Sequence, residues 1–188
     1  MEQMINLTES EMLAMWKRLM HIDVVRRECV IERDDGIMLD DVLIHHIRQW
    51  YAHLLLTAPL HWLPIDDVGA QVQLSVDDDG VVTAVLPESF VRPVEWKLAG
   101  WKHSVTVFVE PDSQEALRQC SPWLRGGCAN PVIVKYDDRL MLYSVEPGTS
   151  PVLVIARCVA VPSDNRYMFH HDALETLPKW NESILQEC

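Results

Sequence analysis

Eight histidines and five cysteines are the residues of this chain with the chemistry to hold a metal ion or attack an electrophile. His45-His46, His53 and His61 fall in or just after one helical segment, and His170-His171 lie near the C-terminus. A zinc site on a helix needs two histidines on one face, three or four residues apart, and a third ligand. His45 and His46 diverge by roughly 100° around a helix axis, and His53 follows His46 about two turns later. That spacing reads as solvated or hydrogen-bonded imidazoles, not as a metal centre. Cys120 and Cys128 flank Gly126-Gly127, and a thiol nucleophile there would need His103 against it; free cysteine more commonly serves as a small apolar filler. The acidic runs Asp34-Asp35, Asp40-Asp41, Asp66-Asp67, Asp77-Asp78-Asp79 and Asp137-Asp138 lack the spacing of a calcium loop and fit turns and helix caps. No G-x-S-x-G, P-loop or G-x-G-x-x-G occurs. The expectation is a chain without catalytic residues, metal or cofactor.

The elements that would position these residues follow from hydrophobic period. Residues 1–60 read as helical. Thr8 and Glu11 form a capping box, with Leu7 and Met12 at the positions of a hydrophobic staple. Met12, Met15, Trp16 and Leu19 then make one apolar stripe. Residues 22–33 suit either a continued helix or an extended connection, and residues 34–36 form a turn. A second helix starts near Asp40 or Asp41, either a suitable N-cap, and carries Leu43, Ile47, Trp50 and Leu54. Pro59 and Pro64 close it.

From Gly69 the period becomes two. Val72, Leu74 and Val76 alternate with polar residues before the turn at residues 77–80, and residues 81–86 return as the second strand of a hairpin. Pro87 and Pro93 bracket a corner that cannot be a central strand, with Phe90 turned into the core. Strands follow at Val94, Trp96 and Leu98 and at Val105, Val107 and Val109. Asp112 or Ser113 caps a short helix running to Gln119. Residues 132–134 and 140–144 make another hairpin, and residues 152–161 a last buried strand. The predicted fold is α+β: a helical hairpin or bundle over residues 1–64, an antiparallel β domain, sandwich or barrel-like, over 65–165, and a helical arm over 166–188. That arm has too little apolar surface to stand free; it either folds back onto its own domain or, the reading favoured here, reaches a neighbouring protomer or ring through Trp180.

Composition narrows the function classes. The chain has 188 residues, 48% hydrophobic and 23% charged, values that exclude wholesale disorder. Its formal net charge of −12 opposes a phosphate grip over most of the surface. No apolar run approaches a membrane span, no signal-peptide pattern opens the chain, and the five irregularly spaced cysteines suit a reducing site of synthesis. Seven residues are tryptophan. Trp16 and Trp50 lie on helical apolar faces, as core residues do. Trp101, Trp123 and Trp180 sit in loop-like or terminal surroundings, where core and interface both fit. With Arg92 beside the proline corner, these three are the candidate interface residues.

Residues 85–145 also carry a distinctive pattern of residues. It runs through Leu86-Pro87-Glu88-Ser89-Phe90-Val91-Arg92, Trp101 with Val105, Asp112-Ser113, Gln119, Gly126-Gly127, Asn130-Pro131-Val132 and Leu142-Tyr143-Ser144. This resembles the head-to-tail adaptor, or connector, ring proteins of short-tailed bacteriophages, especially crAss-like phages. Glu88-Ser89 departs from the acidic residue that more usually adjoins the phenylalanine. The resemblance implies a virion structural protein that catalyses nothing and binds no cofactor. It implies a cyclic, commonly dodecameric ring of identical copies docked to the portal protein and to other tail or ring proteins. DNA would be passing cargo only, and no membrane would be involved. Synthesis would be in the host cytoplasm and residence at the head–tail junction. The alternative on composition is a small acidic binding or inhibitory module acting on a basic protein partner.

Overall fold

The computed structural model describes residues 4–20, 39–145, 148, 150–162, 164–177 and 180. The expectations for residues 22–36, Ile184 and Leu185 lie outside them. Among the described residues the fold is α+β, with nine strands, all paired antiparallel, in three open sheets, none of them closed into a barrel. The chain divides into one unit of Met1–Pro64 with Val161–Cys188, and a second of Ile65–Ala160.

The first unit begins with a strand where the sequence predicts helix. β1 (Met4–Leu7) pairs with β9 (Tyr167–His170), Ile5 opposite Phe169. Four residues whose partner lies at the far end of the chain leave no local periodic signal. α1 (Glu9–Leu19) starts as predicted: the Thr8 N–H donates to Glu11 Oε2 at 2.8 Å and the Glu11 N–H to Thr8 Oγ1 at 3.4 Å. Its stripe buries Met12 and Trp16 but leaves Leu19 exposed. α2 (Leu39–Thr57) carries Asp40 and Asp41 inside its first turn and not as its N-cap. Lys17, late in α1, pairs with Asp40, and Glu9 at its start pairs with Arg48, so the two helices run antiparallel. Trp50 meets Trp16 and Phe169 edge-on at 6.2 and 5.3 Å. The 3-10 helix His171–Thr176 follows β9 and buries Ala173, with Leu177 just beyond.

The second unit holds β2 (Ile65–Asp67), the hairpin β3 (Gln73–Val76) and β4 (Val82–Val85), β5 (Phe90–Leu98), α3 (Gln114–Gln119), the hairpin β6 (Ile133–Lys135) and β7 (Arg139–Leu142), and β8 (Leu153–Ala160). Its sheets run in the orders β2-β8-β5 and β3-β4-β7-β6. Val82 lies opposite Leu142 and Ala84 opposite Leu140, and all four enter the core that Trp96, Leu98, Ala156 and Cys158 fill from the other sheet. Two sheets sharing one core make a sandwich-like arrangement. Successive β6 residues point to opposite faces, so Ile133 joins this core while Val134 joins a second cluster with Val81, Tyr143 and Ala116 of α3.

Two strand predictions are corrected. β5 starts at Phe90 and runs through Pro93, because it is an edge strand of its sheet and its register against β8 shifts between Phe90 and Arg92 and again between Pro93 and Glu95. Edges and bulges are where proline's missing N–H is tolerated. Val105, Val107 and Val109 form no strand; Val105 bridges Trp96, Val109 bridges Val134, and Val107 between them is 78% exposed.

Candidate interaction surface

The α3 helix is short, and its position depends on its cap. Ser113 Oγ accepts the Ala116 N–H at 3.1 Å and donates to the Glu110 carbonyl at 2.7 Å, while Ala116 anchors the helix to the sheet. The last residue, Gln119, is 1% exposed, so its amide must find partners inside the protein. Nε2 donates to Glu115 Oε1 at 3.1 Å, and Oε1 accepts the Gly126 N–H at 3.2 Å. Arg125 Nε donates to the Gln119 carbonyl at 2.9 Å and Nη1 to the Asp79 carbonyl at 2.6 Å, with the guanidinium 5.6 Å from the Tyr143 ring centre.

Ser144, 3% exposed, continues this framework. Its Oγ donates to the Gly126 carbonyl at 2.6 Å, and its own carbonyl accepts the Trp101 Nε1–H at 2.6 Å. Cys128 Sγ donates to the same carbonyl at 3.7 Å. A Cβ at Gly126 would lie 2.1 Å from the Asn130 carbonyl oxygen, so only glycine permits this closure of the loop. Both ends of the segment between Gln119 and Gly126 are therefore fixed. Its middle projects: Trp123 is 94% exposed and Leu124 63%, with Leu117 of α3 64% exposed close by in sequence. Pro122, directly before Trp123, restricts the backbone further. An apolar tip held on a hydrogen-bonded base is preorganised for docking, since little ordering entropy is left to lose on contact.

The four candidate residues separate by placement. Trp123 stands in solvent. Trp101, a candidate interface residue by sequence, is 4% exposed and belongs to the core, where its indole N–H is satisfied by Ser144; it has no surface to offer a partner. Arg92 is half-buried on β5, and burial lowers its guanidinium pKa. Trp180 is half-buried in its own unit, its ring 5.0 Å from that of His53 on α2. Within the second unit Trp101 and Trp123 are separated by environment, one in the core and the other in solvent. Gln119 and Gly126 were visible only as pattern residues; their role as ties needs the loop geometry. Among the described residues no three His, Cys, Asp or Glu side chains converge to hold a metal ion, and no helix is long and apolar enough to cross a membrane. Comparison with protein-family models, curated proteins and solved structures finds no match for this chain.

Proposed function

We propose that the protein is a structural component of a bacteriophage virion, an adaptor ring between portal and tail that forms part of the genome conduit. One observation carries this reading. Trp101, Gln119, Gly126 and Ser144 belong to the sequence pattern that resembles adaptor proteins, and they converge on the single hydrogen-bonded framework beneath the Trp123 tip. Pattern residues spent on fixing an apolar tip suit a part whose work is assembly. A net charge of −12 also fits a conduit, because it disfavours adhesion of DNA in transit.

Co-expression with the portal protein of the same genome, followed by electron microscopy, tests the reading. Closed rings of cyclic symmetry attached to the portal are the expected result, and Trp123→Ala should lower ring yield about tenfold. A chain that stays monomeric and never co-purifies with portal or virion overturns the proposal.

A further inference from the structure

Among the described residues the second unit has four edge strands, β2, β3, β5 and β6. Three of them carry features that keep a sheet edge from pairing with another chain. β2 exposes Asp66 and Asp67. β5 contains Pro93 and breaks register on either side of it. The outer side of β6 is occupied: the Val109 N–H donates to the Ile133 carbonyl and the Lys135 N–H to the Val109 carbonyl, each at 2.9 Å. β3 has none of these. Its residues, Gln73-Leu74-Ser75-Val76, include no charge and no proline, and Gln73, Ser75 and Val76 are exposed.

The ladder tells which backbone groups of β3 are open. The Asp77 N–H donates to the Val81 carbonyl at 3.0 Å, one step beyond the Val76–Val82 pair. Bonded and non-bonded pairs alternate in an antiparallel ladder, so Gln73 and Ser75 turn their backbone groups toward β4, and Leu74 and Val76 turn theirs outward. No described residue bonds to those outward groups. The Val72 N–H is already given to the Val68 carbonyl at 3.2 Å, so the open stretch ends there.

We infer that a second copy of this chain pairs here, β3 against β3, antiparallel about a twofold axis at Ser75. The free groups set the register. Leu74 opposite Val76 of the second copy uses both outward donors and both outward acceptors of each strand, whereas a register centred on Leu74 would call on the spent Val72 amide. Side chains agree. Leu74 and Val76 lie on the face of their ladder partners Ala84 and Val82, which enter the core, so the contact extends an apolar face. On the other face Gln73, whose side-chain amide donates, meets Asp77 of the second copy, whose carboxylate accepts. In this register no carboxylate of residues 77–79 stands opposite another. A four-residue strand buries little area, so the dimer is weak and exchanges rapidly. The contact is isologous and closes at two copies; it is independent of the adaptor reading, whose ring needs a heterologous surface.

Two measurements on the full chain test the pairing. Amide exchange at Leu74 and Val76, followed by NMR, should slow as the protein is concentrated to about 1 mM, while that of Ser75 stays constant. Ser75 is exposed and lies opposite itself across the axis, so a substitution there alters the contact and spares the core. Ser75→Asp and Ser75→Lys, each alone, should dimerise about fivefold more weakly in sedimentation, because like charges then face each other. An equimolar mixture of the two should recover wild-type association. Exchange at Leu74 and Val76 that ignores concentration overturns the inference. So does dimerisation that Ser75→Asp leaves unchanged, or that the mixture fails to restore, since either result puts the contact on another surface.

Discussion

Tyr51 and Cys158 link single side chains to the pH dependence of stability. The Tyr51 hydroxyl donates to the Met168 carbonyl at 3.2 Å and accepts the Met168 N–H at 3.1 Å, tying α2 to β9. Burial pushes its phenol from 10.0 up to about 12. Burial first, then the carboxylates of Asp66 and Asp67, pushes the Cys158 thiol from 9.0 up to about 12. Both groups hold their protons to higher pH when folded than when unfolded. The native state therefore binds more protons in that window, and stability present in full below the unfolded values is lost as pH rises through them toward about 12. Denaturant midpoints measured from about pH 8 to about pH 11 should fall, and Tyr51→Phe with Cys158→Ala should flatten the decline. A wild-type slope in the double variant would remove both groups from the account. The sequence placed Cys158 in a buried strand, but its nearness to Asp66 and Asp67 follows only from β2 pairing with β8.

Elements were legible where their signal was local. Both hairpins, the Thr8 capping box and the Ser113-capped α3 rest on residues a few positions apart, and they form where periodicity and turn chemistry put them. Elements defined by distant partners were not legible: β1 and β9 exist through each other, and β5 extends through Pro93 because β8 lies alongside. The exposed tip shows the same limit. Its tryptophan is visible in the sequence, but whether Trp101 or Trp123 faces solvent depends on which indole reaches Ser144. Phe90 measures the corrected strand start. It is half-buried and packs against the core of the second unit at the point where β5 begins. Complete burial would make Phe90→Ala cost roughly 3–5 kcal/mol, so partial burial should cost about 2 kcal/mol. Equilibrium unfolding that shows no loss would place Phe90 in solvent and return the strand start to Val94.

Across the whole molecule, the order of elements along the chain makes the second unit an insertion. β1, α1 and α2 precede it, while β9 and the 3-10 helix follow it, and the β1–β9 ladder joins the two flanks. The inserted unit begins at β2 and finishes at β8, which are neighbours in one sheet with Ile65 opposite Val159. Antiparallel partners lie about 4.5–5.5 Å apart at Cα, so the two crossing points are adjacent. Tolerated insertions have this geometry, because the host sees only a short gap. Among the described residues, the buried members of the main core of the inserted unit, from Val68 to Ala160, all belong to that unit. Residues 65–160 expressed alone should thus fold cooperatively, and joining Pro64 to Val161 through a linker of about four Gly and Ser residues should yield a folded first unit. Removing residues 170–188 should instead unfold that first unit, contrary to the arm docked on a neighbouring protomer or ring that the sequence favours, since Ala173 and Leu177 are buried and Thr176 accepts from Trp50. Circular dichroism and thermal melts of the three chains decide the matter. Two folded units and one unfolded truncation support the insertion; an unfolded 65–160 chain would mean that its core depends on residues outside it.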